Sequence, residues 1–240
     1  MAGMVTAPIR AITMTEPSAG AEGRGALLRL LAWLSPAFPV GGFVYSGGLE
    51  AVIHDGRIGS AEELSAWLSI VLGEGSLRND AILLAEAYRS VDDPDRLRDV
   101  VELAAALAVS MERHTEIVRQ GDAFLAAASA WPHPVLDAFS GGTAYSVALG
   151  AVAAAHQVPL GDALAAFLQA QCAQLISVAV RLGIIGQKQG VAMLAGLERP
   201  VLAQAEHAAR LGLDDLGSAT VLADIASLKH EVQYSRLFQS

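Results

Sequence analysis

Cysteine is almost absent from this chain. Cys172 is the only one among 240 residues, which excludes an internal disulfide and any metal site built on paired cysteines, as fits a reducing compartment. Charge is sparse as well: Asp, Glu, Lys and Arg make up 17% of residues, and 16 Lys and Arg against 25 Asp and Glu leave a formal charge of -9. The clustered cations that a nucleic-acid backbone or an anionic membrane rewards are therefore missing. No phosphate loop is present either. Residues 183–190 hold glycines and a lysine, but neither the Gly-x4-Gly-Lys-Ser/Thr spacing nor a preceding strand is there. Ser46 and Ser140 each run directly into two glycines, so the Gly-x-Ser-x-Gly elbow of serine hydrolases is absent.

The six histidines, His54, His114, His133, His156, His207 and His230, never pair at a spacing that puts two imidazoles on one helical face. His230 beside Glu231 is the best local candidate for a weak metal site, with a surface complement to a helix dipole as the competing reading. His156 reads as a hydrogen-bonded core residue.

What the chain does have is apolar content, at 53%. That exceeds the usual share of a soluble domain and points to a full core, to surface covered by a partner, or to both. Residues 1–24 mix Thr, Pro, Gly and Glu without the continuous apolar run of a signal peptide, and they read as a flexible extension of a cytoplasmic protein. Residues 25–228 read as one helical domain, and residues 229–240 as a tail.

Residues 25–33 form a short apolar helix pattern that stops at Ser35-Pro36. The next stretch, residues 34–50, breaks the pattern with two prolines, four glycines and three aromatics. It is either a connector folded under the core or a recognition surface. Residues 49–54 suggest a brief helix. Ser60 and Glu63 then match a capping box ahead of an apolar face made by Leu64, Trp67, Leu68 and Val71. Residues 77–91 place Leu77, Ile82, Leu84, Ala85 and Tyr88 at helical spacing, and Asp92-Asp93-Pro94 supplies a stop and a fresh start. A long helical region is expected from Pro94 toward Ala130, with Glu112, Glu116 and Arg119 forming a solvated stripe.

Residues 138–161 contain no Asp, Glu, Lys or Arg. A stretch of about 20 apolar residues can cross a bilayer. Here the opening Ser140-Gly141-Gly142, the polar His156 and Gln157, Pro159 and the Ala-rich composition favour a central helix packed on all sides. A further helix over residues 160–182 carries Gln169, Gln171 and Gln174, which need polar partners on another helix or another chain. Shorter helices are expected at 188–197, 200–211 and 219–228. No alternating strands are visible, so the fold class is all-α: a single-domain multi-helix bundle with a central apolar helix. The last ten residues show no periodicity, yet Tyr234, Arg236, Leu237 and Phe238 are the types that dominate interface hot spots. Such a tail either packs on its own domain or awaits a partner.

Two distant segments carry a family resemblance. Ser35-Pro36-Ala37-Phe38-Pro39-Val40-Gly41, with Tyr45, Ser46, Gly48, Leu49 and Glu50, resembles the N-terminal signature of the urease accessory protein UreF family. Val180-Arg181-Leu182, Gly186-Gln187, Asp215 to Ser218, His230-Glu231 and Gln233 to Phe238 resemble its C-terminal signatures. The resemblance implies an all-helical homodimer that binds UreD (called UreH in some organisms) and then the GTPase UreG, in an assembly that carries nickel into apo-urease. No catalytic residue, stably bound cofactor or metal ligand is implied for this chain, since nickel is handled by the complex. Partner contacts are expected at Tyr45, Glu50, Arg181, Gln187, Lys229, His230, Tyr234, Arg236 and Phe238, with the tail ordering on UreD. The alternative is a GTPase-activating regulator in which Arg181 or Arg236 acts in trans on UreG. Gly47 departs from the family pattern where a histidine is common, which removes a possible metal contact. Gln239 stands where an arginine is usual.

Overall fold

The computed structural model describes residues 19–240, with side chains from Gly23 onward. All regular elements among them are helical. Helix α1 runs Ala19–Trp33, so it begins ahead of the expected residue 25; the remainder of the expected extension, residues 1–18, lies outside the described residues. Then follow α2 (Leu49–His54), α3 (Ala61–Glu74), α4 (Ser76–Arg89), α5 (Pro94–Ala106), α6 (Met111–Ala128), α7 (Tyr145–Ala155), α8 (Leu160–Arg181), α9 (Gln187–Gly196), α10 (Glu198–Ala208) and α11 (Val221–His230).

The central apolar helix is α7, whose residues from Tyr145 through Ala153 are all buried. It starts later than residue 138 because Gly141 and Gly142 adopt φ of 97° and 75°, angles that glycine tolerates and a helix does not contain. Its main neighbour is α4, with α6 on another side. The α4 contact depends on a bare backbone: a Cβ built on Gly150 would lie 2.2 Å from the Leu84 carbonyl oxygen. On α6, Gly121 plays the same part, since a Cβ there would come within 1.9 Å of the Thr143 oxygen.

The start and stop signals were largely legible. Ser60 Oγ accepts from the Glu63 amide at 3.2 Å, while the Glu63 carboxylate reaches one residue further back than a capping box would, to the Gly59 amide at 2.8 Å. Asp93 caps α5 through the Arg96 amide at 3.1 Å, with Pro94 in the first turn. The long helix expected from Pro94 is in fact two. It breaks after Ala106, and Ser110 opens α6 by accepting from the Arg113 amide at 3.0 Å.

Scarce aromatics are concentrated in one place. Trp33 packs edge-on against Phe124 and Trp131 at 6.1 and 5.8 Å between centroids, Phe38 lies 5.7 Å from Phe124, and Tyr145 stands between Phe124 and Phe167. His156 joins the cluster and its Nε2 lies 3.2 Å from the Trp131 carbonyl, as a hydrogen-bonded packing residue should. The cluster ties α1, α6, α7 and α8 together and pulls Phe38, in the front half of the irregular stretch, under the core. Among the described residues α8 alone has the length and apolar content of a bilayer span, and 50% of that window is buried inside the fold.

Gly150→Ala is expected to lower stability by about 2 kcal/mol, the scale of an overpacked core, read as a fall in the urea midpoint at constant slope. Cys172 is fully buried, and burial pushes its thiol up to about 11. It should resist thiol reagents at pH 8 in the native protein and react at once in denaturant.

Candidate functional site at the loop and tail

The second half of the irregular stretch is built to aim one carboxylate inward. Gly41, at φ 72°, turns the chain into a short 3-10 turn at Gly42–Val44. Gln174 on α8 holds that turn by donating to the Gly42 and Tyr45 carbonyls at 2.8 and 3.3 Å, which gives one of the expected glutamines its polar partner within the chain. Gly47 and Gly48 then take φ of 58° and 81° and lead into α2. A Cβ on Gly48 would lie 3.2 Å from the Ser227 amide nitrogen, so a glycine here lets α11 approach. With α2 fixed between loop and α11, Glu50 in its first turn is buried.

Glu50 then receives the tail. Its Oε1 accepts from the Leu237 amide at 2.6 Å and its Oε2 from the Phe238 amide at 3.0 Å. His230 is fully buried beside it, with Nε2 3.0 Å from Glu50 Oε2 and Nδ1 2.7 Å from Glu112 Oε2. The other Glu112 oxygen pairs with Arg236. Main-chain bonds complete the seam: Gln239 N donates to the Val44 carbonyl at 2.8 Å, and Ser46 N to the Ser240 oxygen at 2.9 Å, with the Ser46 hydroxyl donating to that oxygen too. Ser240 Oγ donates to Glu116 at 2.8 Å, Arg113 bridges Glu116 at 3.0 Å and Asp80 at 2.6 Å, and burial pushes the Asp80 carboxyl up against the pull of Arg113.

Two expectations need correction here. Of the expected solvated stripe on α6 Arg119 is exposed, but Glu116 is 3% exposed and Glu112 turns toward His230 and Arg236. Nor is His230 a surface residue at a helix end, since it is sealed between two carboxylates. The two ring nitrogens face opposite ways, so Glu50, His230 and Glu112 do not converge on a common point. Among the described residues no three His, Cys, Asp or Glu side chains are grouped as a metal site.

Eight of the nine expected contact residues fall into two groups, and Arg181 is partly buried between them. Tyr45, Glu50, His230 and Phe238 are buried within the chain. Tyr234, Arg236, Lys229 and Gln187 are exposed, the first completely and the last at the start of α9, away from the clamp residues in sequence. Lys229 pairs with Asp55 at 2.7 Å, and that hydrogen bond holds the Asp55 carboxyl below its usual range. Arg181 lies between two phenyl rings, 3.8 Å from the Phe43 centroid and 4.3 Å from that of Phe238, and donates to the Phe43 carbonyl at 2.6 Å. Desolvation lowers its pKa. A groove of about 380 Å³ runs over the clamp, lined in part by Tyr45, Met111, Arg119, Arg236 and Phe238. Sequence reasoning missed Phe43, Ser46, Glu116, Gln174 and Ser240. Phe43, Ser46 and Ser240 lie in segments marked as irregular, while Glu116 and Gln174 lie within helices, and for all five the partner that gives them this role is more than 100 residues away.

Comparison with known proteins agrees with the resemblance carried by the motifs. The family model described as UreF matches residues 58–198. The chain is 56% identical over 219 residues to the urease accessory protein UreF of Agrobacterium fabrum, covering 91% of this chain and 98% of that relative. It is 55% identical over 215 residues to the protein of the same description from Rhizobium etli, covering 90% and 96%, and 54% identical over 214 residues to that of Rhizobium meliloti, covering 89% and 96%.

Removing the central carboxylate leaves a buried imidazole and two tail amides without their acceptor, a loss of about 3 kcal/mol for buried donors left unpaired. Glu50→Ala should therefore accelerate hydrogen exchange at residues 237–240 by orders of magnitude while leaving exchange in α4 and α7 slow. Uniform exchange changes across the whole chain would contradict a local clamp.

Proposed function

The chain belongs to the UreF family of urease accessory proteins, and on that premise we propose that it acts in urease maturation as a non-catalytic scaffold. In this reading it assembles as a homodimer in the cytoplasm, binds UreD and then UreG, and helps the complex pass nickel to apo-urease. Nickel is cargo of the assembly, and the chain holds no cofactor of its own. The observation that carries the reading is the clamp, which joins loop and tail into one surface.

Around that surface stand exposed side chains of the types that make interface anchors: Phe43 at 69%, Tyr234 at 105% and Leu237 at 65% exposure. The buried group, Tyr45, Glu50, His230 and Phe238, holds the tail in place for them. Arg181 works from beneath, stacking on Phe43 and Phe238. In the described conformation the tail lies on its own domain; a partner that meets it in this form binds a prepared surface, at a smaller entropic cost than a folding tail.

The regulatory alternative rests on a cation available to a phosphoryl group of UreG. Arg236 is the candidate, with 41% of its side chain exposed, although Glu112 already engages it. Arg181 is held by two rings and a carbonyl, which suits a stacking role better.

Co-expression with UreD tests the scaffold. The double variant Tyr234→Ala with Leu237→Ala should lose co-purification with UreD and fail to restore urease activity in cells lacking the wild-type protein, with its circular dichroism unchanged. Unaltered co-purification would sink the reading. GTP turnover by UreG with the Arg236→Ala complex decides the alternative, and equal rates exclude Arg236.

A further inference from the structure

The imidazole at the centre of the seam holds one proton more than its neutral form supplies. His230 is fully buried and meets a carboxylate oxygen with each ring nitrogen, Nδ1 at 2.7 Å from Glu112 Oε2 and Nε2 at 3.0 Å from Glu50 Oε2. Two such contacts need two protons, and a neutral imidazole brings one. A ring lone pair set against a carboxylate at that distance inside the fold is repelled. The other neighbours of the two carboxylates all donate: the Leu237 and Phe238 amides to Glu50, and Arg236 to Glu112. Neither glutamate is left holding a proton, so the ring carries it as an imidazolium.

The surrounding charges fit that state. Glu50 on α2 and Glu112 on α6 are negative, and they face two positive groups, His230 on α11 and Arg236 in the tail. The ionised groups beside them have partners of their own. Lys229 pairs with Asp55 at 2.7 Å, the Glu231 carboxylate accepts from the Glu112 amide at 3.2 Å, and Arg113 is shared by Asp80 and Glu116. Ser227, one turn back on α11, meets the Ser110 hydroxyl of α6 at 2.7 Å and adds no charge. Without its proton the row keeps one unbalanced negative charge in a buried position, which is costly. The tail is the member that yields, since its residues belong to no helix, and lifting it lets water reach Glu50 and His230.

We propose that the proton on His230 is a latch that holds residues 237–240 across the loop, so that the loop-and-tail surface is closed while the imidazole is charged and opens as the pH rises. Proton counting gives the sign. An imidazole in water is mostly neutral above about 6.5, so in the neutral-to-alkaline range the closed seam binds one proton more than the open one. Each pH unit then shifts the ratio of closed to open toward open by up to about tenfold. The latch rests on the scaffold reading only in being taken to govern the docking of UreD.

The full-length chain provides the test. Nitrogen NMR of the histidine side chains at about pH 7 should show both ring nitrogens of His230 protonated. Hydrogen exchange at residues 237–240, corrected for the intrinsic pH dependence of amide exchange, should lose protection by up to about tenfold per unit between about pH 7 and 9, with α4 and α7 unchanged. His230→Gln should abolish that dependence, and His207→Gln, at an exposed position on α10, should preserve it. A His230 ring nitrogen without a proton at about pH 7, or tail protection that does not vary with pH, overturns the latch, and both are read on the wild-type chain without UreD. UreD affinity over the same range should fall in step with tail protection. If the tail titrates and UreD binds at no pH, the scaffold reading falls and the latch stands; if the tail titrates and UreD binds equally at every pH, control of docking by the latch is excluded.

Discussion

A carboxylate taken out of water must be met by donors, and Glu50 is fully met only when residues 237 and 238 join His230 across it. Burying an ionised group without partners is prohibitive, whereas burying it with two main-chain amides and an imidazole is tolerable. The same condition acts on every participant. Glu112 is half-enclosed because His230 and Arg236 answer it, and Glu116 because Arg113, Gln120 and Ser240 do. The tail has no helix of its own to satisfy its backbone, so its amides are paired by the loop. Each segment therefore supplies what the other lacks.

The clamp rests on a platform that cannot shift easily. α4 and α7 meet with Gly150 against the Leu84 carbonyl, and α6, which carries Glu112 and Glu116, is pressed onto the start of α7 through Gly121. Close-packed interiors transmit strain instead of absorbing it. An irregular loop mounted on such a base can hold a defined shape, which is what recognition by a non-helical segment needs.

The sequence made the helices legible wherever a capping residue or a proline marked a boundary, as at Ser60, Asp93 and Pro94, and the class was plain from the lack of alternation. It also singled out residues 34–50 and 229–240 as the segments that helix packing does not explain. The chemistry between them was hidden for two reasons. Glu112 and Glu116 recur at helical spacing, and that pattern looks alike whether the face meets solvent or a buried tail. Ser46, Gln174 and Ser240 gain meaning only from partners far along the chain, which no local window can see. The family model spans residues 58–198, which takes in Val180 to Leu182 and Gly186-Gln187 but neither the loop motif at 35–50 nor the tail motif at 230–238; the longer alignments to individual relatives extend beyond it.

The seam between Ser46 and Ser240 joins positions 194 residues apart. At the ribosome's pace of about 5 to 20 residues per second, the loop emerges some tens of seconds at most before its counterpart exists. Throughout that interval Glu50 lacks its two tail amides, however far the helices have progressed. The seam thus closes only once synthesis reaches residues 237–240, and a prematurely released chain, even one with its helical body folded, would lack it.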